Sequence, residues 1–205
     1  MEYRNLGNSG LKISCLSFGS WVTFVNQLTE STALTCMSIA RDHGVNFFDN
    51  AEAYANGKSE ILMGKILKKL KWTRDSYIVS SKAFWGGELP TQKGLSKKHI
   101  HDACNNALKR LQVDYLDLYY CHRPDPDTPI EETVYSMNDL IQQGMVVTSD
   151  DITEIEGNPT IVTKKNANEF TFSSVQQIGV DELFFYRLPE DLSLFPADEI
   201  GKTAN

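Results

Sequence analysis

Four side chains of this sequence could together donate a proton: the Asp49 carboxylate, the Tyr54 phenol, the Lys82 ammonium and the His122 imidazole. A phenol is a weak acid near neutrality, with an ordinary pKa of ~10. A nearby ammonium favours its phenolate form and lowers that pKa, and a carboxylate holds the ammonium in place. An imidazole can hydrogen-bond a substrate oxygen and orient it. No metal is required, and Cys15, Cys36, Cys104 and Cys121 have neither CxxC nor Cys/His ligand spacing. Scattered in this way, they read as buried, reduced thiols of a cytoplasmic protein.

Each of the four groups sits at or just past an apolar run that reads as a β-strand. Asp49 closes NFFDN, Tyr54 follows in AEAYANG, Lys82 closes YIVSSK and His122 closes YLDLYYCH. Helical patterns separate the runs. STALTCMSIARDHG has Thr29 or Ser31 as a cap and Gly44 as its stop. KSEILMGKILKKLKW keeps apolar residues on one face, and SKKHIHDACNNALKRLQ starts at the cap Ser96. IEETVYSMNDLIQQG follows the turn-forming RPDPDTP, in which Asp125 and Asp127 read as turn and helix-start residues. With CLSFGS as the first strand, these make four strand–helix units. Helical connectors imply parallel neighbouring strands with right-handed crossovers. Reactive groups at the C-terminal ends of such strands are how a (β/α) barrel builds a site. Ahead of the units, EYRNLGNSGLKIS reads as a β-hairpin around Gly-Asn-Ser-Gly.

Composition changes after the fourth helix. Residues 1–146 carry 16 acidic and 16 basic side chains, whereas 147–205 carry 11 acidic and 4 basic. All three tryptophans and all four histidines lie in the first part. We therefore divide the 205-residue chain into 1–146 and an acidic, β-rich segment 147–205, in which PTIVTKK, EFTFSSVQQI and ELFFYRL read as strands. No basic stripe suggests nucleic acid, and no apolar run approaches the ~20 residues of a membrane-spanning helix. The polar opening MEYRNLGNSG does not read as a secretory signal.

The strings EYRNLGNSGLKISCLSFGSW, NFFDNAEAYANGKSE, SSKAFWGG, GLSKKHI and LKRLQVDYLDLYYCHRPDPDTPIEETV resemble, in order, the N-terminal half of an aldo-keto reductase. FWGG and HRPDPDTPIEET are most similar to the branch that includes voltage-gated potassium-channel β subunits. The resemblance implies an α/β fold, a partial TIM barrel of four β/α units. It also implies an oxidoreductase that uses NADP(H) to reduce aldehydes or ketones. Tyr54 would be the general acid, with Asp49, Lys82 and His122 completing the catalytic set. Ser20, Trp21, Gln27, Asp49 and His122 would contact the cofactor, and Trp85, Tyr54 and His122 the substrate. Channel β subunits often carry Asn at the His122 position, so His122 points to a working reductase.

The same resemblance calls for eight units in a complete barrel, and after Val147 the string TSDDITEIEG departs from it. A truncation or fusion is the expected origin of that break. Four units alone would leave open sheet edges and an uncovered inner face. The sequence leaves three solutions open: the tail covers an edge, two copies form a homodimer through those edges, or the tail does not complement the half barrel. It also leaves two functions open, an NADPH-dependent reductase and a non-catalytic, channel-β-subunit-like interaction protein.

Overall fold

The computed structural model describes residues 1–6 and 9–147, together with the backbone of four later strands over 160–166, 169–174, 177–178 and 185–186. The chain opens with the expected hairpin, β1 (Tyr3–Asn5) against β2 (Lys12–Ser14), with Arg4 opposite Ile13. Gly7 and Asn8 of its turn lie outside the described residues. Four strands then pair in parallel in chain order: β3 (Phe18–Gly19), β4 (Phe47–Asp49), β5 (Ile78–Ala83) and β6 (Leu118–Cys121). Helices α1 (Glu30–Asp42), α2 (Lys58–Leu70), α3 (Lys97–Leu111) and α4 (Ile130–Gln142) alternate with them. The chain is therefore an α/β fold built on a parallel sheet with helical crossovers. Strand β3 is shorter than CLSFGS suggests because the Cys15 N–H still pairs with Glu2 O, extending the hairpin and leaving two residues for β4.

Strand alternation sorts the core into two layers. Phe48, Val79, Ala83, Tyr119 and Cys121 join the large cluster formed with the helices. Phe47, Ile78, Leu118 and Tyr120 face the other way and pack with Leu6 and Ile13 of the hairpin. The hairpin is fixed to the sheet by Ser14 N donating to Asn46 Oδ1 (2.7 Å) and Asn46 N donating to Ser14 Oγ (3.1 Å). These inward apolar residues are buried within one chain, so the uncovered inner face expected of four lone units is not found at these positions.

Thr29 caps α1 by accepting Thr32 N, and Ser96 caps α3 by accepting His99 N. Helices α2 and α3 end without glycine, on the left-handed residues Lys71 (φ 51°) and Gln112 (φ 58°). The two helices cross closely at Gly64, where an added Cβ would run into Arg110 O and the Leu111 backbone.

After α4 a further parallel pairing begins. Leu116 N donates to Met145 O (2.9 Å) and Val147 N to Leu116 O (2.8 Å), which bridges Val146 to Leu116. Farther along the same edge, β7 (Thr160–Asn166) meets β6 antiparallel at Thr160 and Cys121 and pairs with β8 (Glu169–Ser174). Strands β9 (Gln177–Ile178) and β10 (Phe185–Tyr186) pair separately. The string TSDDITEIEG, at which the resemblance breaks off, lies outside the described residues. Among the described residues, no helix is long and apolar enough to cross a membrane, and no His/Cys/Asp/Glu cluster could hold a metal.

Candidate active site

Parallel pairing brings the C-terminal ends of β3 to β6 to one rim. Asp49 stands opposite Ser80, and Lys82 lies two residues farther along β5, on the same face. A diagonal neighbour at that spacing is within reach of a long side chain. Lys82 Nζ donates to Asp49 Oδ2 (2.5 Å), Asn50 O (2.9 Å) and the Tyr54 hydroxyl oxygen (3.0 Å). Ser80 Oγ donates to Asp49 Oδ1 (2.6 Å), so both carboxylate oxygens are engaged. Lys82 is 2% exposed, Asp49 is fully buried and Tyr54 is 4% exposed. An ammonium has no lone pair to accept with. The Lys82–Tyr54 bond therefore runs from nitrogen to phenol and leaves the phenolic proton free to donate elsewhere.

The loop after β4 delivers Tyr54 through a tight left-handed turn at Ala55 (φ 48°), Asn56 (φ 53°) and Gly57 (φ 78°). Left-handed backbone costs an L-residue roughly 1–2 kcal/mol. The turn is held by Lys58 N donating to Ala55 O and Ser59 N to Tyr54 O. His122 stands edge-on to Tyr54, with ring centroids 5.9 Å apart, and 4.9 Å from the Trp85 ring. The Trp21 ring centroid lies 6.2 Å from that of Tyr54. Trp21 and Trp85 are 46% and 41% exposed, one indole beside the Tyr54 ring and the other beside His122.

Electrostatics correct one expectation. Burial pushes the Tyr54 phenol above its ordinary pKa, and Lys82 offsets this only in part, so the net shift is upward rather than downward. For Lys82, burial works against the ammonium, but Asp49 and Tyr54 outweigh it and raise its pKa. His122 is lowered to about 3, by burial first and by the Lys82 charge second. It is a neutral imidazole at any ordinary pH, and its buried Nδ1 has no hydrogen-bond partner among the described residues.

Asp49, Tyr54, Lys82 and His122 thus come together, with Trp21 and Trp85 beside them. Ser20 is beneath rather than within the opening: it is buried, donates to Asp49 O (3.0 Å) and bonds the Ser59 hydroxyl. Gln27 is exposed in the loop between β3 and α1, its N–H bonded to Thr23 O. Asp125 is a turn residue, accepting from Leu95 N and Thr128 Oγ1. Two contributors escaped the sequence reading. Ser80 was legible in principle, since period-2 alternation puts it on the face of Lys82. Asn50 acts through its backbone oxygen and leaves no residue-type signal.

The profile of the Aldo/keto reductase family matches residues 15–176 of this chain. A "Probable voltage-gated potassium channel subunit beta" of Arabidopsis thaliana is 57% identical over 144 residues, covering 70% of this chain and 44% of that protein. A protein of the same description from Oryza sativa subsp. japonica is 55% identical over 145 residues, covering 71% of this chain and 44% of its own length. The chain spans less than half the length of these curated relatives.

Proposed function

The chain belongs to the aldo/keto reductase family, and we propose that its rim carries the proton-donating side of an NADPH-dependent reduction of aldehydes or ketones. In this reading residues 1–146 are four of the eight units of a (β/α) barrel, and 147–205 is a separate acidic, β-rich segment. The protein works in the cytoplasm. The observation that carries the proposal is the buried Asp49–Lys82–Tyr54 chain, with His122 and the exposed Trp21 indole against the Tyr54 ring.

The nicotinamide cofactor supplies the hydride when bound; everything else falls to side chains of this chain. A carbonyl oxygen that gains negative charge is met by the Tyr54 hydroxyl, whose proton is not held by Lys82. Lys82 then stabilises the phenolate left behind. Asp49 keeps the ammonium in place and balances it in a site with little water. His122, a neutral imidazole edge-on to Tyr54, orients the same oxygen. Its unpartnered buried Nδ1 and the exposed Trp21 indole fit the nicotinamide end of the cofactor. Trp21, Gln27 and His122 would hold it, with Ser20 and Asp49 supporting them from the buried side. Trp85, Tyr54 and His122 face the carbonyl substrate.

A titration of the protein with NADPH, followed by quenching of tryptophan fluorescence, tests the reading. Saturation at micromolar cofactor, lost in Trp21→Phe, supports it, and NADPH oxidation with aromatic aldehydes should follow. No binding at millimolar NADPH would overturn it. That outcome would favour a second reading, a non-catalytic protein that binds a channel-type partner or pairs with itself. Its specific support is that the two relatives are described as probable channel β subunits.

A further inference from the structure

We infer that the buried pair Glu52 and His99 is a strut that positions both the loop carrying Tyr54 and the side of the opening formed by Trp85 and His122. The inference rests on reading that rim as a carbonyl-reducing site. Glu52 lies two residues before Tyr54 and is tied to the end of β5 twice. Its N–H donates to Lys82 O (3.3 Å), and its Oε1 accepts from Phe84 N (2.7 Å). The same Oε1 is 2.9 Å from His99 Nε2 on the first turn of α3. Both side chains are buried. One carboxylate therefore joins the Tyr54 loop, the exit of β5 and the start of α3.

What this junction supports is next along the chain. Phe84 and Trp85 pack edge to face with centroids 4.8 Å apart, and Trp85 contacts His122. Gly86 passes directly over the pair: an added Cβ there would lie 2.5 Å from Glu52 Oε2 and 2.7 Å from His99 Cε1. The backbone carrying Trp85 rests on Glu52 and His99 with no space between. Among the described residues, neither side chain is hydrogen-bonded to Tyr54 or His122, and both act through Phe84 and Gly86 as positioning residues. Removing the Glu52 carboxylate would leave Phe84 N–H and the His99 ring without their buried partner, and a buried polar group left so drives local rearrangement.

The test uses the full chain and two readouts. In NMR spectra, Glu52→Ala should shift or broaden the Trp85 indole and His122 ring signals. The Trp72 indole, packed against Phe48 and Tyr77, should stay in place. Glu52→Gln should stay close to the parent, because its amide oxygen, in the place of Oε1, can still accept from both Phe84 N–H and His99 Nε2. Gly86→Ala deletes no hydrogen-bonding group and should displace Trp85 by steric contact alone, which keeps the test decisive if Glu52→Ala does not fold. In steady state, Glu52→Ala should raise KM for a benzaldehyde-type substrate about tenfold, equivalent to about 1.4 kcal/mol. The strut is overturned if Trp85 and His122 stay put in both Glu52→Ala and Gly86→Ala, if Glu52→Gln is as disruptive as Glu52→Ala, or if Trp72 moves along with Trp85. A parent protein without turnover would instead refute the proton-donor reading, and the NMR arm would still judge the strut.

Discussion

The Lys82 ammonium lies 3.0 Å from the Tyr54 hydroxyl oxygen and 4.8 Å from the centroid of its ring. One cation thus meets the phenol at its oxygen and near its ring. The direction of the hydrogen bond is fixed by chemistry, because lysine can only donate. Tyr54 keeps its proton for another acceptor, which in the proposed reading is a carbonyl oxygen at the rim.

Replacing Tyr54 with Phe therefore removes the acid and little else. Lys82 keeps its bonds to Asp49 and Asn50. We expect turnover to fall by about 10²–10⁴-fold, with stability changed by only about 1 kcal/mol. NADPH oxidation and thermal melting measure the two effects, and a Tyr54→Phe protein with parental kcat would remove Tyr54 from the acid's role.

The buried ion pair should behave as a unit. Lys82→Met leaves the Asp49 carboxylate buried and uncompensated, at a cost of about 3–5 kcal/mol. Adding Asp49→Asn removes that charge and should recover part of the loss. Urea unfolding of the parent, both single variants and the double variant gives the coupling. Additive losses would show that the two residues do not stabilise each other.

His122 predicts an acid dependence of stability. Its folded pKa of about 3 lies below the unfolded value of about 6.5. Between those values the unfolded chain binds the extra proton, so stability is fully present above the unfolded pKa and is lost as pH falls through the window. From about pH 7 to about pH 5 this one group should cost about 2 kcal/mol. His122→Asn should lose that share of the acid slope in denaturant titrations; an unchanged slope would contradict the buried neutral imidazole.

The thiols divide two and two. Cys104 and Cys121 are buried and pushed up to about 12, by burial first and, for Cys104, by Glu60 as well. Cys15 and Cys36 are half-buried. A thiol reagent should label the latter two in the native protein and all four after unfolding.

Close packing of α2 on α3 gives a stability prediction without charges. Gly64→Ala forces a methyl against the Arg110 and Leu111 backbone and should cost about 1–3 kcal/mol. Gly10→Ala, which meets nothing within 4 Å, should stay within about 0.5 kcal/mol of the parent. Chemical denaturation compares the two, and equal effects would mean that α2 can yield at the crossing.

The parallel strands and their helices were legible because parallel strands buried on both faces read as short apolar runs, and because Thr29, Ser96, Gly44 and Gly144 supply local start and stop signals. The ends of α2 and α3 were less so, since Lys71 and Gln112 adopt a left-handed conformation that sequence statistics assign to glycine. At the site, residue type and strand-end position found Asp49, Lys82 and His122. Burial decided what they became: it reversed the expected shift of Tyr54 and kept His122 uncharged. Sequence reports which groups are neighbours, but the cost of desolvating them depends on packing from elements far along the chain. Glu52 was passed over for the same reason. Its partners Phe84 and His99 are 32 and 47 residues away.

Strand order β3–β4–β5–β6 repeats chain order, so each strand pairs with the one made just before it. A polypeptide emerging from the ribosome can add these units one at a time, each docking on a surface already present, with no need to wait for distant sequence. The rim is then assembled in the order of synthesis. Asp49 and Tyr54 arrive first, Lys82 closes the buried pair when β5 docks, and His122 completes the group only once β6 is in place. A nascent chain halted before β6 would already hold its ammonium and carboxylate together, yet lack the imidazole that faces them.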